Sequence, residues 1–119
     1  MGGREQVDRK IRNILFKAWS FESSSQWSKG NPAKGQCGVT ALVINDLFGG
    51  DIFKTKTEGG WHFYNLINGE RCDYTESQFT KPIQYLDVVS SRQEAFADTN
   101  ENQYMYLKQK VNLLRSSYK

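Results

Sequence analysis

Histidine is almost missing from this chain: His62 is the only one among 119 residues. Any imidazole chemistry must therefore run through that position. Cysteine is scarce as well, with only Cys37 and Cys72. Two thiols without a secretion signal are expected to stay reduced rather than form a disulfide. These three side chains fall one short of the four ligands of a structural zinc site, so no metal is expected. No apolar run approaches the roughly 20 residues of a membrane-spanning helix. The opening MGGREQVDRK has no apolar signal-peptide core, which makes the cytoplasm the expected location. It begins Met-Gly, yet Gln6 stands where a myristoylation motif wants Ser or Thr, and lipidation is rejected.

The charge balance is modest, at net +3, but it is unevenly spread. Residues 1–20 carry five basic and two acidic side chains, and residues 101–119 carry four and one. The stretch between holds seven basic and ten acidic groups, the reverse of what a nucleic-acid site requires. The basic ends are read as solvated helix faces. Aromatic residues make up 13% of the chain, which argues against disorder. The length is that of one domain spanning residues 1–119, large enough to build a core without staples.

Residues 4–20 space Val7, Ile11, Ile14, Leu15, Ala18 and Trp19 on one helical face. A polar loop, FESSSQWSKGNPAKGQ, covers 21–36. Its length without obvious structure suggests a functional segment, and Trp27 is expected to dock on something. From Cys37 the chain is apolar on nearly every side through Phe48, the pattern of a buried helix, and Gly49-Gly50 ends it as a left-handed cap would. Residues 51–57 alternate like a strand. Residues 61–67 and 70–75 flank Asn68-Gly69, the strongest short hairpin signal. A further β run is expected at 83–89, a short helix capped by Ser90 or Ser91 with Glu94, and a helix over 101–117. The fold class is α+β. A buried helix with Cys37 at its N-terminus packs on a small antiparallel sheet, flanked by N- and C-terminal helices.

The hairpin register carries the chemistry. With Asn68 and Gly69 as turn residues, Asn65 faces Cys72, Tyr64 faces Asp73 and His62 faces Thr75. Side chains alternate along a strand, so Asp73 becomes a diagonal neighbour of His62 on one face while Cys72 and Asn65 point to the other. An Asp carboxylate on one ring nitrogen fixes the imidazole tautomer and supports imidazolium. Cys37 at a helix N-terminus lies where unpaired N–H groups and the helix dipole favour a thiolate. Cys37, His62 and Asp73 are therefore the candidate catalytic residues. The Cys37 backbone N–H and a side-chain amide, Gln26 or Gln36, are candidate oxyanion donors. Gln26 is slightly favoured because it lies on the loop before the cysteine. Trp27, Trp61 and Tyr64 are candidate substrate contacts. Thr40 is expected to bond back to a helix carbonyl and do nothing more.

The runs NPAKGQCGVTALVINDLFGGDI and WHFYNLINGERCDYTESQF resemble the YunG family of small bacterial proteins. So does the spacing of Trp19, Ser20, Ser23, Ser24 and Trp27, and the likeness spans essentially the whole chain. It implies a papain-like or NlpC/P60-like cysteine peptidase core with Cys37, His62 and Asp73 at the matching positions. The segment from Cys37 to His62 is shorter than in papain, which implies an abbreviated cleft. The sequence thus points to a cysteine-dependent hydrolase or acyl transferase acting on an amide or peptide-type bond. No cofactor, nucleic acid or membrane partner is expected. The rival reading is a non-catalytic binding module that recognises a protein partner through the 21–36 loop, Trp27, Trp61 and Phe63.

Overall fold

The computed structural model describes residues 2–117. Helix α1 spans Gly2–Ala18 and buries Ile11, Ile14, Leu15 and Ala18, one stripe of a helix with a 3.6-residue repeat. Val7, assigned to the same face, is left 42% exposed. Helix α2, Cys37–Phe48, is buried from Cys37 to Ile44. Each large aliphatic side chain sealed there contributes about 1.5–3 kcal/mol. Gly49 ends α2 at φ 75° but ψ −147°, so the expected left-handed cap is replaced by an extended kink that turns the chain straight into the sheet. Gly50 follows at φ 77°, and a Cβ there would come within 2.2 Å of the Leu66 carbonyl oxygen.

Strands β1 (Asp51–Thr57), β2 (Gly60–Ile67), β3 (Glu70–Cys72) and β4 (Val88–Val89) form one antiparallel sheet in the order β3-β2-β1-β4. The Asn68-Gly69 turn takes φ 52° and 80°, as a two-residue hairpin with both central residues at positive φ demands. The ladder pairs Asn65 with Cys72, Leu66 with Arg71 and Ile67 with Glu70, the register read from the turn.

Two expected strands are shorter than the sequence suggests. The run 70–75 leaves the ladder after Cys72, because Asp73 turns inward to bond with its side chain. Of 83–89 only Val88–Val89 pairs, with Phe53 and Lys54 of β1. Helix α3, Arg92–Ala97, has Ser91 as its cap, accepting from Glu94 N. Helix α4, Glu101–Ser117, buries Tyr104, Leu107 and Val111. The core lies between α2 and one face of the sheet, with α1 and α4 closing it from outside. Among the described residues no helix is long and apolar enough to cross a membrane.

Candidate functional site

Strand alternation sorts the chemistry onto two faces of β2. Asn65 turns toward α2 and donates to the Ala41 carbonyl at 3.0 Å, with Phe63 and Ile67 packed in the same core. Cys72, the ladder partner of Asn65, is buried. His62 and Tyr64 face the other way, under the segment 73–87. Phe79 meets the His62 ring edge-on at 4.9 Å and Tyr85 meets Tyr64 at 5.0 Å. Thr55, the register partner of His62, pins that segment: its hydroxyl donates to Gln84 O at 2.7 Å and accepts from Leu86 N at 2.9 Å.

His62 Nε2 lies 2.6 Å from Asp73 Oδ2, with both side chains buried. The same oxygen accepts the Tyr85 hydroxyl at 2.7 Å, and Oδ1 accepts Thr75 N and Oγ1 at 3.2 and 3.3 Å. A carboxylate is an acceptor, so the network assigns the ring hydrogen to Nε2 and leaves Nδ1 as the lone-pair nitrogen. That Nδ1 is buried and has no hydrogen-bond partner among the described residues. Burial, followed by the bond to Asp73, pushes the Tyr85 phenol well above its ordinary range.

Cys37 begins α2 and is 8% exposed. Its thiol donates to Asp98 Oδ2 at 3.5 Å, and the same oxygen accepts Gly38 N at 3.1 Å. Asp98 comes from the turn between α3 and α4. Gln36, the residue preceding α2, makes no side-chain cap, so Asp98 supplies the cap from a distance. Gly38 is what permits its approach: a Cβ there would lie 2.6 Å from Asp98 Oδ2 and 2.8 Å from the Ala95 carbonyl oxygen.

The thiol is pushed up to about 12, first by burial and then by the Asp98 charge, with a main-chain hydrogen bond from Phe63 pulling the other way. The thiolate-favouring environment expected at the helix start is thus overridden, because lost solvation and a neighbouring carboxylate outweigh the dipole. No hydrogen bond joins Cys37 to His62 among the described residues; the thiol is engaged by Asp98 instead.

The remaining candidates divide sharply. Gln36 is fully buried, and neither Nε2 nor Oε1 has a partner among the described residues. Gln26, slightly favoured as an oxyanion donor, is exposed, whereas Gln36 is enclosed next to Cys37. Trp27 is half-buried against Phe21, at 5.1 Å, with its indole N–H buried and unpartnered. Trp61 is 42% exposed, with Lys54 Nζ and Lys56 Nζ at 4.3 and 5.0 Å from its ring centre. It rims a cleft of about 360 Å³ that also touches Phe63, Glu94 and Asp98. Tyr64 is withdrawn from substrate contact, since its hydroxyl is committed to Asp87 Oδ1 at 2.7 Å and Asp87 N at 2.9 Å. Thr40 accepts the Trp19 indole N–H at 3.0 Å rather than bonding back to its helix.

Sequence reasoning missed Asp98, Tyr85 and Phe79, and it placed Thr75 opposite His62 in a ladder that ends at Cys72, whereas Thr75 bonds to Asp73. Gly38 directly after the cysteine was the one signal that something approaches α2 closely. No group of three or more His, Cys, Asp or Glu among the described residues could hold a metal ion.

Comparison with known proteins bears on the whole chain. No solved structure matches it. A family model described as YunG protein matches residues 7–115. A Bacillus subtilis (strain 168) relative, "Uncharacterized protein YunG", is 56% identical over 99 residues, covering 83% of this chain and 86% of the relative. By both measures the chain belongs to the YunG family.

Proposed function

We propose that this protein is a cysteine-dependent hydrolase or acyl transferase of papain-like type, working on an amide or peptide-type bond in the cytoplasm. One observation carries the reading. Among the described residues, three of the four buried side-chain polar atoms without partners are Gln36 Nε2, Gln36 Oε1 and His62 Nδ1, on the residue before Cys37 and on the ring held by Asp73. Leaving a buried polar group unsatisfied costs about 1–3 kcal/mol, which a fold tolerates where a ligand completes the bonds. In this mechanism His62 Nδ1 takes the Cys37 proton while Asp73 holds the opposite nitrogen. The sulfur attacks the acyl carbon, and the Gln36 amide with the Cys37 backbone N–H receives the developing oxyanion. His62 then returns the proton to the leaving amine, and water or a second amine releases the acyl group.

The test is an acyl-transfer trap. Aryl thioesters and activated peptide amides are incubated with the protein, and Cys37 acylation is followed by intact mass. Cys37→Ser and His62→Ala should abolish the adduct, and Asp73→Asn should reduce it strongly. Acylation that survives His62→Ala would overturn the reading.

A second reading, a non-catalytic binding module, draws on one observation of its own: the Cys37 thiol is buried and donates to Asp98 rather than to His62. It predicts no acyl-enzyme with any of these probes.

A further inference from the structure

Asp98 stands 61 residues from Cys37 in sequence and meets it at the start of α2. Its carboxylate uses a single oxygen for two bonds, one from the Cys37 thiol and one from the Gly38 N–H. Two features make the contact a built one. Gly38 leaves room that any side chain would fill, and Asp98 also lines the cleft beside Trp61 and Phe63. The contact is also easily undone. Asp98 belongs to an exposed turn after the short helix α3, so a change of side-chain rotamer frees both donors.

We propose that Asp98 is a positioning residue that holds Cys37 as the thiol between turnovers and yields the Gly38 N–H to the substrate's acyl oxygen. The inference rests on the reading of Cys37 as nucleophile and adds a regulatory device to it. In the resting arrangement the sulfur's hydrogen points at Asp98. When Asp98 swings off, the S–H bond breaks and its proton passes to His62 Nδ1. The sulfur electron pair forms the bond to the acyl carbon, and the C=O π pair moves to the oxygen. That oxygen accepts the hydrogen bond from Gly38 that Asp98 has given up, a third donor beside the Gln36 amide and the Cys37 N–H. The ionisable groups around the sulfur are His62 of β2, Asp73 beyond β3 and Asp98. Lys54 of β1 is paired with Glu94 of α3 at 3.1 Å and lines the same cleft. Of these, Asp98 supplies the hydrogen bond to the thiol, and its charge opposes ionisation.

The experiment measures iodoacetamide labelling of Cys37 from about pH 6 to pH 11, with Cys72 as internal reference. Asp98→Asn keeps an oxygen for Gly38 N–H but removes the charge. It should speed Cys37 labelling at least about tenfold at each fixed pH in this range, the rate rise that reports a midpoint lowered by one pH unit or more from its wild-type position above pH 11. Asp98→Glu should stay near wild type. Asp98→Ser, a second uncharged variant, gives the same reading if Asp98→Asn does not fold. An unchanged or raised midpoint in the uncharged variants overturns the proposal. So does a uniform acceleration shared by Cys72, which reports loosened packing. The labelling needs no turnover. A shifted midpoint with no acylation in the thioester trap would therefore leave the thiol-holding role standing while the catalytic reading fails.

Discussion

Tyr85 and His62 converge on one oxygen of Asp73, the phenol at 2.7 Å and the imidazole Nε2 at 2.6 Å. The tyrosine therefore acts on the ring through the carboxylate they share. Removing the phenol leaves Asp73 one donor short in a buried setting. Tyr85→Phe should cost about 1–3 kcal/mol of stability, read as a fall in urea midpoint. It should also slow Cys37 acylation, because a less constrained Asp73 holds His62 less firmly.

Alkaline pH should weaken the fold. The Cys37 thiol rises from an ordinary 9.0 to about 12 on folding, so its contribution is complete below pH 9 and is withdrawn as pH climbs toward 12. Each unit of that rise is about 1.4 kcal/mol between the two protonation states. Tyr64 and Tyr85, both raised by burial, act in the same direction above about pH 10. Urea denaturation at pH 8 and pH 10.5 should show lower stability at the higher value. Cys37→Ala should show a smaller drop between the two.

Gln36→Met removes a buried amide that has no partner among the described residues while keeping a flexible side chain of similar length. The variant should be as stable as wild type or up to about 2 kcal/mol more so, and should fail the acylation trap. A destabilised Gln36→Met protein would instead mean that the amide is satisfied in solution.

Gly38→Ala drives a methyl group into Asp98 and the Ala95 carbonyl. The backbone contact cannot be relieved by a rotamer change, so the α3–α4 turn must lift from α2. A cost of about 1–3 kcal/mol is expected. Cys37 should also label faster at neutral pH, since both the seal and the Asp98 bond loosen together.

Much of this arrangement is local information. Asn68-Gly69 fixed one register and so brought Asp73 to His62, although Asp73 lies just outside the strand. The start of α2 at Cys37 and the bounds of β1 and α4 follow from periodicity and glycine punctuation. The segment 73–87 was not legible, because its composition is that of strands while its attachment is through side chains. Thr55, Tyr64 and Asp73 hold it at Gln84, Leu86, Asp87 and Tyr85, and no periodic pattern records such bonds. Asp98 was invisible for a related reason. A cap supplied from 60 residues away leaves its trace only in the partner, as the glycine at position 38.

The strand order β3-β2-β1-β4 puts the two long strands inside and the two short ones at the rims. Aggregation by edge pairing needs a long, flat, apolar strand with its main chain unoccupied. One rim here is three residues that include Glu70 and Arg71, and the other is two valines followed by Ser90, whose N–H donates inward to the Ile52 carbonyl of β1 at 2.8 Å. Val89, 73% exposed, is thus apolar surface without a ladder long enough to recruit a neighbour. The short rims themselves thus offer a neighbour no long free ladder, and lengthening either by a few β-branched residues would create one.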